Sequence, residues 1–319
     1  MIRYILKRLL MLTPVLLGVS LLVILIMELT PGDPVIMVLG EGYSQEEYIA
    51  KRDEMGLDKP FLQRYAEYIL NAVQGDFGHS YRNGQSVMAE IGSRLPYTVR
   101  LAIDGMLIAI VFGLPMGVIS AVKQYSPTDN ILTIFSLILT SMPGFWLAMM
   151  MILLFSVTLN WLPSIGVDSW KNFIMPAIAT GAGTMAALQR MTRTTMLEVI
   201  RQDYIRTARA KGATEFRVAV KHALRNALLP VITVIGVNFG FALGGSIVIE
   251  AVFAIPGLGQ LMVNSIKSLD TPMVTGSVIF AAFIATLVNL IVDIVYTYVD
   301  PRVKAQLISA RVKKKVKAI

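Results

Sequence analysis

Apolar and polar residues alternate along this chain in long blocks, not at single positions. Residues 9–29 (LLMLTPVLLGVSLLVILIMEL) are apolar for long enough to cross about 30 Å of hydrocarbon at about 1.5 Å per residue. Arg3, Lys7 and Arg8 precede them. The run exceeds a signal-peptide core and no A-x-A-like cleavage site follows, so residues 1–30 are expected to hold an uncleaved first transmembrane helix. Residues 31–97 are polar and open on Thr30-Pro31-Gly32-Asp33-Pro34, which stops a helix. Within them Tyr43–Glu54 and Pro60–Val73 read as short helices, and Gly75–Ser80 (GDFGHS) reads as a turn.

Five further apolar stretches follow. They are Leu101–Val122, interrupted by Gly113, Pro115 and Gly117; Ile131–Leu159, broken near Pro143 and Gly144; a short Phe173–Leu188, rich in Ala and Gly; Leu228–Phe253; and Val274–Val299. Trp161 and Trp170 flank one short loop and suit an interfacial belt. Gly236, Gly240 and Gly244 recur every four residues, the spacing of a close helix contact in lipid. The pattern predicts an all-α integral membrane chain with six transmembrane helices, a large loop over 31–97 and a core over 98–319.

Residues 189–230 break the pattern. This polar island holds nine Lys and Arg against Glu198, Asp203 and Glu215, so it cannot lie in hydrocarbon. Its period is helical: Ala208, Gly212, Phe216 and Val220 fall every four residues, while Arg206, Arg209, Arg217 and Lys221 occupy another side. Ala208 and Gly212 would let another backbone approach closely. A glycine inside a helix costs about 1 kcal/mol relative to alanine, so Gly212 requires a reason. Two readings fit: a basic amphipathic helix on anionic headgroups, or a docking helix for a soluble partner.

Composition agrees with the membrane class: 55% of residues are hydrophobic and 16% charged, with a mean hydropathy of +0.64. The net charge of +8 matters through its placement. Most Lys and Arg lie before the first span, at Lys123, in the island or in the basic tail over 300–319, which an even number of spans puts on one side. The positive-inside rule makes that side the cytoplasm, with both termini there. Charges interleaved with spans point to lipid and away from nucleic acid.

The chain lacks Cys, so no disulfide or zinc-thiolate site can form. It has no G-x-x-x-x-G-K-[ST] phosphate loop, no H-E-x-x-H and no G-x-S-x-G, and His79 and His222 fall on opposite sides of the membrane in this topology. No catalytic residue and no metal site are therefore expected, and no cofactor bound by this chain. Ionisable groups in spans are functional candidates, here Asp104 and a strip of Asn289, Asp293 and Tyr296 at i, i+4 and i+7. Interhelical hydrogen bonding and a role in a transport path both fit that strip. At this level a transporter component, a membrane scaffold or sensor with a partner-binding basic loop, and a stand-alone channel or ion-coupled carrier all remain open.

Several motifs recur together in one family. Thr30–Pro34 (TPGDP), Met55–Pro60 (MGLDKP), Gly75–Ser80, Arg94–Thr98 (RLPYT), E-x-x-F-x-x-P-G-L-G over Glu250–Gly259 and VDIVYTYVDPRV near the end occur in order. With them the chain resembles the permease subunits of ATP-binding-cassette importers of the dipeptide, oligopeptide and nickel group, specifically the first of the two paired permeases. Tyr204–Gly212 (YIRTARAKG) resembles that group's cytoplasmic E-A-A loop, although Arg206, Thr207 and Ala208 stand where E-A-A would be and only Ala208 matches.

The resemblance implies a type I importer permease of MetI-like fold in a bacterial or archaeal plasma membrane. It also implies a second homologous permease, two ATPase subunits that hold ATP and Mg, and an extracytoplasmic substrate-binding protein. Arg206, Thr207, Ala208, Arg209, Gly212, Ala213 and Phe216 would then form a coupling helix seated on an ATPase. Glu250, Pro256, Gly257, Leu258 and Gly259 would form an outer gating or receptor-facing loop.

Overall fold

The computed structural model describes the backbone of residues 2–244 and 246–299, with side chains from residue 10 onward except at 293 and 295–299. Among the described residues every regular element is helical, apart from one isolated β-bridge between His79 and Ser86. The first helix, α1 (Ile2–Leu29), ends where Pro31 and Gly32 stop it. Asp33 then caps α2 (Pro34–Leu39) by accepting the Val35 N–H at 2.8 Å. A reciprocal Ser44 and Glu47 capping box opens α3 (Gln45–Glu54), and α4 (Phe61–Val73) follows. Both short helices lie where the sequence put them.

Helix α5 (Val87–Val122) is longer than the apolar run Leu101–Val122 and starts within the expected loop. It is continuous through Pro96 and Pro115, the latter just after a π-helical turn at Ala109–Gly113 that widens the helix where a backbone bond is lost. The next span is two helices, α6 (Pro127–Ser141) and α7 (Gly144–Thr158), bent by 101° at Met142-Pro143 as the proline requires. Helix α8 (Ile174–Ile200) contains the short fourth stretch and the first dozen residues of the basic island. The island therefore begins as the C-terminal half of a long helix, not as a separate polar segment.

The remainder of the island divides into α9 (Asp203–Ala210) and the start of α10 (Glu215–Leu243). The expected fifth span, Leu228–Phe253, is thus displaced: its helix starts earlier and stops at Leu243, and Ile247–Val252 forms a separate short helix, α11. Helices α12 (Leu258–Lys267) and α13 (Thr271–Val299) complete the described chain. The basic tail over 300–319 lies outside the described residues. Among the described residues, four helices are long and apolar enough to cross a membrane, and five with the bent pair counted as one span.

Two compact units emerge, Met1–Arg100 with Leu243–Thr286, and Leu101–Ala242 with the residues from Leu287. In the first unit α4 lies along α1, with Tyr65 Oη donating to the Leu17 carbonyl at 3.0 Å and Arg64 paired to Glu28 at 2.6 Å. Val87, Ile91, Leu258, Leu261 and Met273 form its core. Ser80 Oγ donates to Asp270 at 2.5 Å, tying the GDFGHS turn to the start of α13.

The second unit is built on small residues. Gly105, Ala109, Gly113, Gly117 and Ala121 repeat every four residues on α5. A Cβ on Gly113 would lie 2.6 Å from the Met185 carbonyl oxygen, and one on Gly117 would lie 2.7 Å from that of Gln189. A Cβ on Gly181 would lie 2.4 Å from the carbonyl oxygen of Gly105. Gly113 and Gly117 are therefore packing positions where α8 rests on α5, not interruptions of a span. Both sets of partners increase in number together, so α5 and α8 run parallel. The chain between them must travel back across, and the bent α6–α7 pair makes that return.

Candidate coupling loop and outer hairpin

The segment between α8 and α10 is organised by one buried side chain. Ile205 of α9 is fully enclosed with Ala121, Met196, Val218, Ala219, Ala223 and Ala227, so α9 is seated on the ends of α5 and α8 and on the first turns of α10. Burying an isoleucine contributes about 1.5–3 kcal/mol, enough to hold an eight-residue helix that would not persist alone. Beyond Ala210 the chain turns at Gly212, whose φ of +81° is left-handed. A Cβ there would meet nothing within 4 Å, so the glycine serves the backbone conformation that ends α9, as helix C-termini commonly need.

This changes the expected surface. Ala208, Gly212, Phe216 and Val220 do not form one helical face, because the helix breaks between the first two and the last two. Ala208 and Ala213 are half-buried, while Tyr204, Arg206, Thr207 and Phe216 face outward, Phe216 at 78% exposure. Arg209 spans the turn to Glu215 with bonds of 2.8 and 3.0 Å, and that carboxylate pushes the Arg209 pKa up. The loop thus presents two aromatic rings among cations on a braced frame.

A second tie holds the same end of α8. Arg193 makes two bonds of 2.8 Å to the carboxylate of Asp129, which is 2% exposed at the start of α6. Asp129 also accepts from Ser120 Oγ and from the Tyr125 N–H, and Gln189 donates to Ser120. The pair fastens α6 and α8 together beside α5. Arg193 is therefore paired within the protein, with a partner 64 residues earlier in the chain.

The candidate gating loop, in the first unit, is built around Glu250 on α11. Its buried carboxylate accepts the Thr98 hydroxyl at 2.8 Å and the Gln260 N–H at 3.0 Å, while Thr98 Oγ1 accepts the Leu258 N–H at 2.9 Å. Burial pushes the carboxyl pKa up, against the opposing pull of these hydrogen bonds. A Cβ on Gly257 would lie 2.4 Å from that carboxylate, and one on Gly259 2.6 Å from the Ile247 backbone. Gly257, Leu258 and Gly259 are buried in this knot, and only Pro256 is partly open. The P-G-L-G sequence thus packs inward around an acid.

A family model described as the binding-protein-dependent transport system inner membrane component matches residues 113–305, and its N-terminal counterpart matches residues 1–102. The chain belongs to this family. It is a multi-pass inner-membrane permease subunit of an ATP-driven importer for small solutes, from a family of permeases and not of enzymes. It is similar to the glutathione transport system permease protein GsiC of Escherichia coli strain K12, 42% identical over 304 residues that cover 95% of this chain and 99% of that protein. The protein of that name from Shigella dysenteriae serotype 1 is equally similar, with 42% identity over 304 residues. An inward-facing structure of the MetNI methionine ABC transporter shares the fold, with a TM-score of 0.56 and 22% identity over 67% of this chain and 97% of that one.

In this permease Asp104 is half-buried on α5, and Asn289 is exposed on α13. The side chains of Asp293 and Tyr296 lie outside the described residues. Replacing Glu250 by Ala is expected to destabilise the permease by about 1–3 kcal/mol, because buried donors on Thr98 and Gln260 lose their acceptor. Glu250→Gln keeps one acceptor and should lose less. Thermal unfolding of the purified complex in detergent checks this, and identical melting of both variants and wild type would refute it.

Proposed function

We infer that the permease couples through the 201–214 loop to a soluble motor on the cytoplasmic side. Its assembly would comprise a second homologous permease, two ATPase subunits carrying ATP and Mg, and an extracytoplasmic binding protein, surrounded by membrane lipid. The solute is a short peptide or a peptide-like molecule such as glutathione, the cargo named for the GsiC relatives. α8, fourth in chain order, brings the five possible crossings to six, since it runs beside α5 from Gly105 to Gly117. Both termini are then cytoplasmic.

One observation carries the coupling role: exposed Tyr204 stands on α9, which Ile205 pins to α5, α8 and α10 at once, and exposed Phe216 stands on the first turn of α10 beside it. A surface aromatic anchor needs a pocket in a partner, and a rigid mount transmits that partner's displacement into the spans. Differential affinity of the motor for two permease conformations then links hydrolysis to the switch in access.

Gly212→Trp tests this. A bulky side chain in the left-handed conformation costs about 1–2 kcal/mol locally and obstructs the docking surface. Membrane insertion is expected to persist while ATP-driven uptake falls and hydrolysis per solute moved rises, because the obstructed surface no longer seats the motor. Wild-type uptake in this variant would sink the coupling role.

A further inference from the structure

We propose that Arg190 forms an anion-accepting subsite in the translocation path and takes a carboxylate of the solute. The proposal rests on the importer reading above and names the chemistry of its cargo.

Arg190 lies on α8 level with Gly117 of α5, whose Cβ position faces Gln189 and Thr192. That level is about 8 Å short of the end of the span at Val122. An arginine so near an interface ordinarily extends toward it, because its charge is costly in hydrocarbon. Arg190 turns the other way. Its Nη1 donates to Thr140 Oγ1 at 2.5 Å, and Thr140 stands in the last turn of α6, about 16 Å along that helix from Asp129. Arg193, one turn beyond Arg190, reaches instead to Asp129 at the loop end. The two guanidinium groups therefore diverge, one toward the loop and one toward the break in the bent span.

The destination of Arg190 is polar and incomplete. Thr140 already donates its hydroxyl to the Ser136 carbonyl at 2.8 Å and can only accept from the arginine. Among the described residues no carboxylate pairs with Arg190, in contrast to the bidentate Asp129 on Arg193. The rest of its planar fork of donors is the arrangement that binds a carboxylate through two parallel bonds. Thr140, Ser141 and Pro143 at the break are exposed. Gly183, Ala187 and Thr194 share the Arg190 face of α8, and none of them is buried. A broken helix at membrane depth persists only where protein buries it or water lines it. An unpaired cation turned toward the break favours water, and a wet positive site inside a permease attracts an anionic solute.

The chain contains no Cys, which makes a direct test available. A Cβ on Gly183 meets nothing within 4 Å, so Gly183→Cys fits without strain, about 10 Å along α8 from Arg190 on the side its guanidinium reaches. The complete importer in proteoliposomes is treated with an anionic or a cationic methanethiosulfonate reagent, and labelling of this chain is read by mass. Adding Arg190→Gln is expected to lower the ratio of anionic to cationic labelling rates at least about fourfold, even with full water screening at that distance. Arg190→Lys should restore the ratio. If Gly183→Cys fails to assemble, Ala187→Cys carries the same comparison.

An unreactive cysteine at both positions means that lipid or the second permease covers this face, and overturns the proposal. So does a ratio unaffected by Arg190→Gln. Absence of ATP-driven uptake by the wild-type complex would instead defeat the importer reading, independently of the labelling.

Discussion

Gly181→Ala is expected to destabilise the permease by about 1–3 kcal/mol, the usual cost of forcing a methyl group into a packed contact. The added Cβ would stand 2.4 Å from the carbonyl oxygen of Gly105, and neither atom belongs to a flexible side chain. Helices α5 and α8 would have to separate, loosening the contacts at Gly113 and Gly117 farther along the same seam. Gly183→Ala, two residues away, is the control: nothing lies within 4 Å of that Cβ, and alanine gains up to about 1 kcal/mol over glycine within a helix. The retained monodisperse fraction of the detergent-purified complex after heating should fall for Gly181→Ala and hold or rise for Gly183→Ala. Equal losses for the two would show that α8 does not rest on α5 at this seam.

Asp129→Ala is expected to have the larger effect, about 3–5 kcal/mol, because it leaves the Arg193 guanidinium without its counter-ion in a site that is largely closed. Ser120 Oγ and the Tyr125 N–H lose their acceptor at the same time. The sign is specific to breaking one partner: a well-packed neutral pair, Asp129→Leu with Arg193→Met, should recover much of the loss. Expression of folded complex and its melting temperature read both variants. If Asp129→Ala melted like wild type, the ion pair would not be a tie between α6 and α8, and the inner end of α8 would depend on Ile205 and its neighbours alone.

Much of the architecture is legible in block hydropathy and in proline. The first span, the short helices of the outer loop, the break at Pro143 and the last span all follow from local chemistry that neighbours cannot override. The errors concentrate where polar residues lie inside helices that the protein itself surrounds. Gln189, Thr192 and Arg193 made the C-terminal half of α8 look like part of a polar island outside the spans, yet Gln189 and Thr192 are wholly buried against α5 and Arg193 is paired. Hydropathy scores each residue against lipid or water. It has no term for a carboxylate that arrives from a segment 64 residues away.

The glycines make the same point in two directions. Gly113 and Gly117 looked like interruptions and are a packing seam; Gly212 looked like a packing position and is a left-handed turn. Their roles differ through φ and through what stands opposite, and neither quantity is local. A small-residue repeat over Gly105, Ala109, Gly113, Gly117 and Ala121 was present in the sequence and would have marked the seam.

By itself, then, the sequence determined that this chain is an all-helical membrane protein with a basic loop between apolar spans, because desolvation of the backbone in lipid leaves a chain of this hydropathy few alternatives, while the permease reading came from its motifs. Only the tertiary structure decided which polar groups are spent and which are free. It paired Arg193 with Asp129, enclosed Glu250 between the Thr98 hydroxyl and the Gln260 N–H, and left Arg190 turned toward the break in a span without a counter-ion among the described residues. The reason is physical: the cost of a charge is set by the partners that folding brings within hydrogen-bond reach, and those partners come from distant parts of the chain.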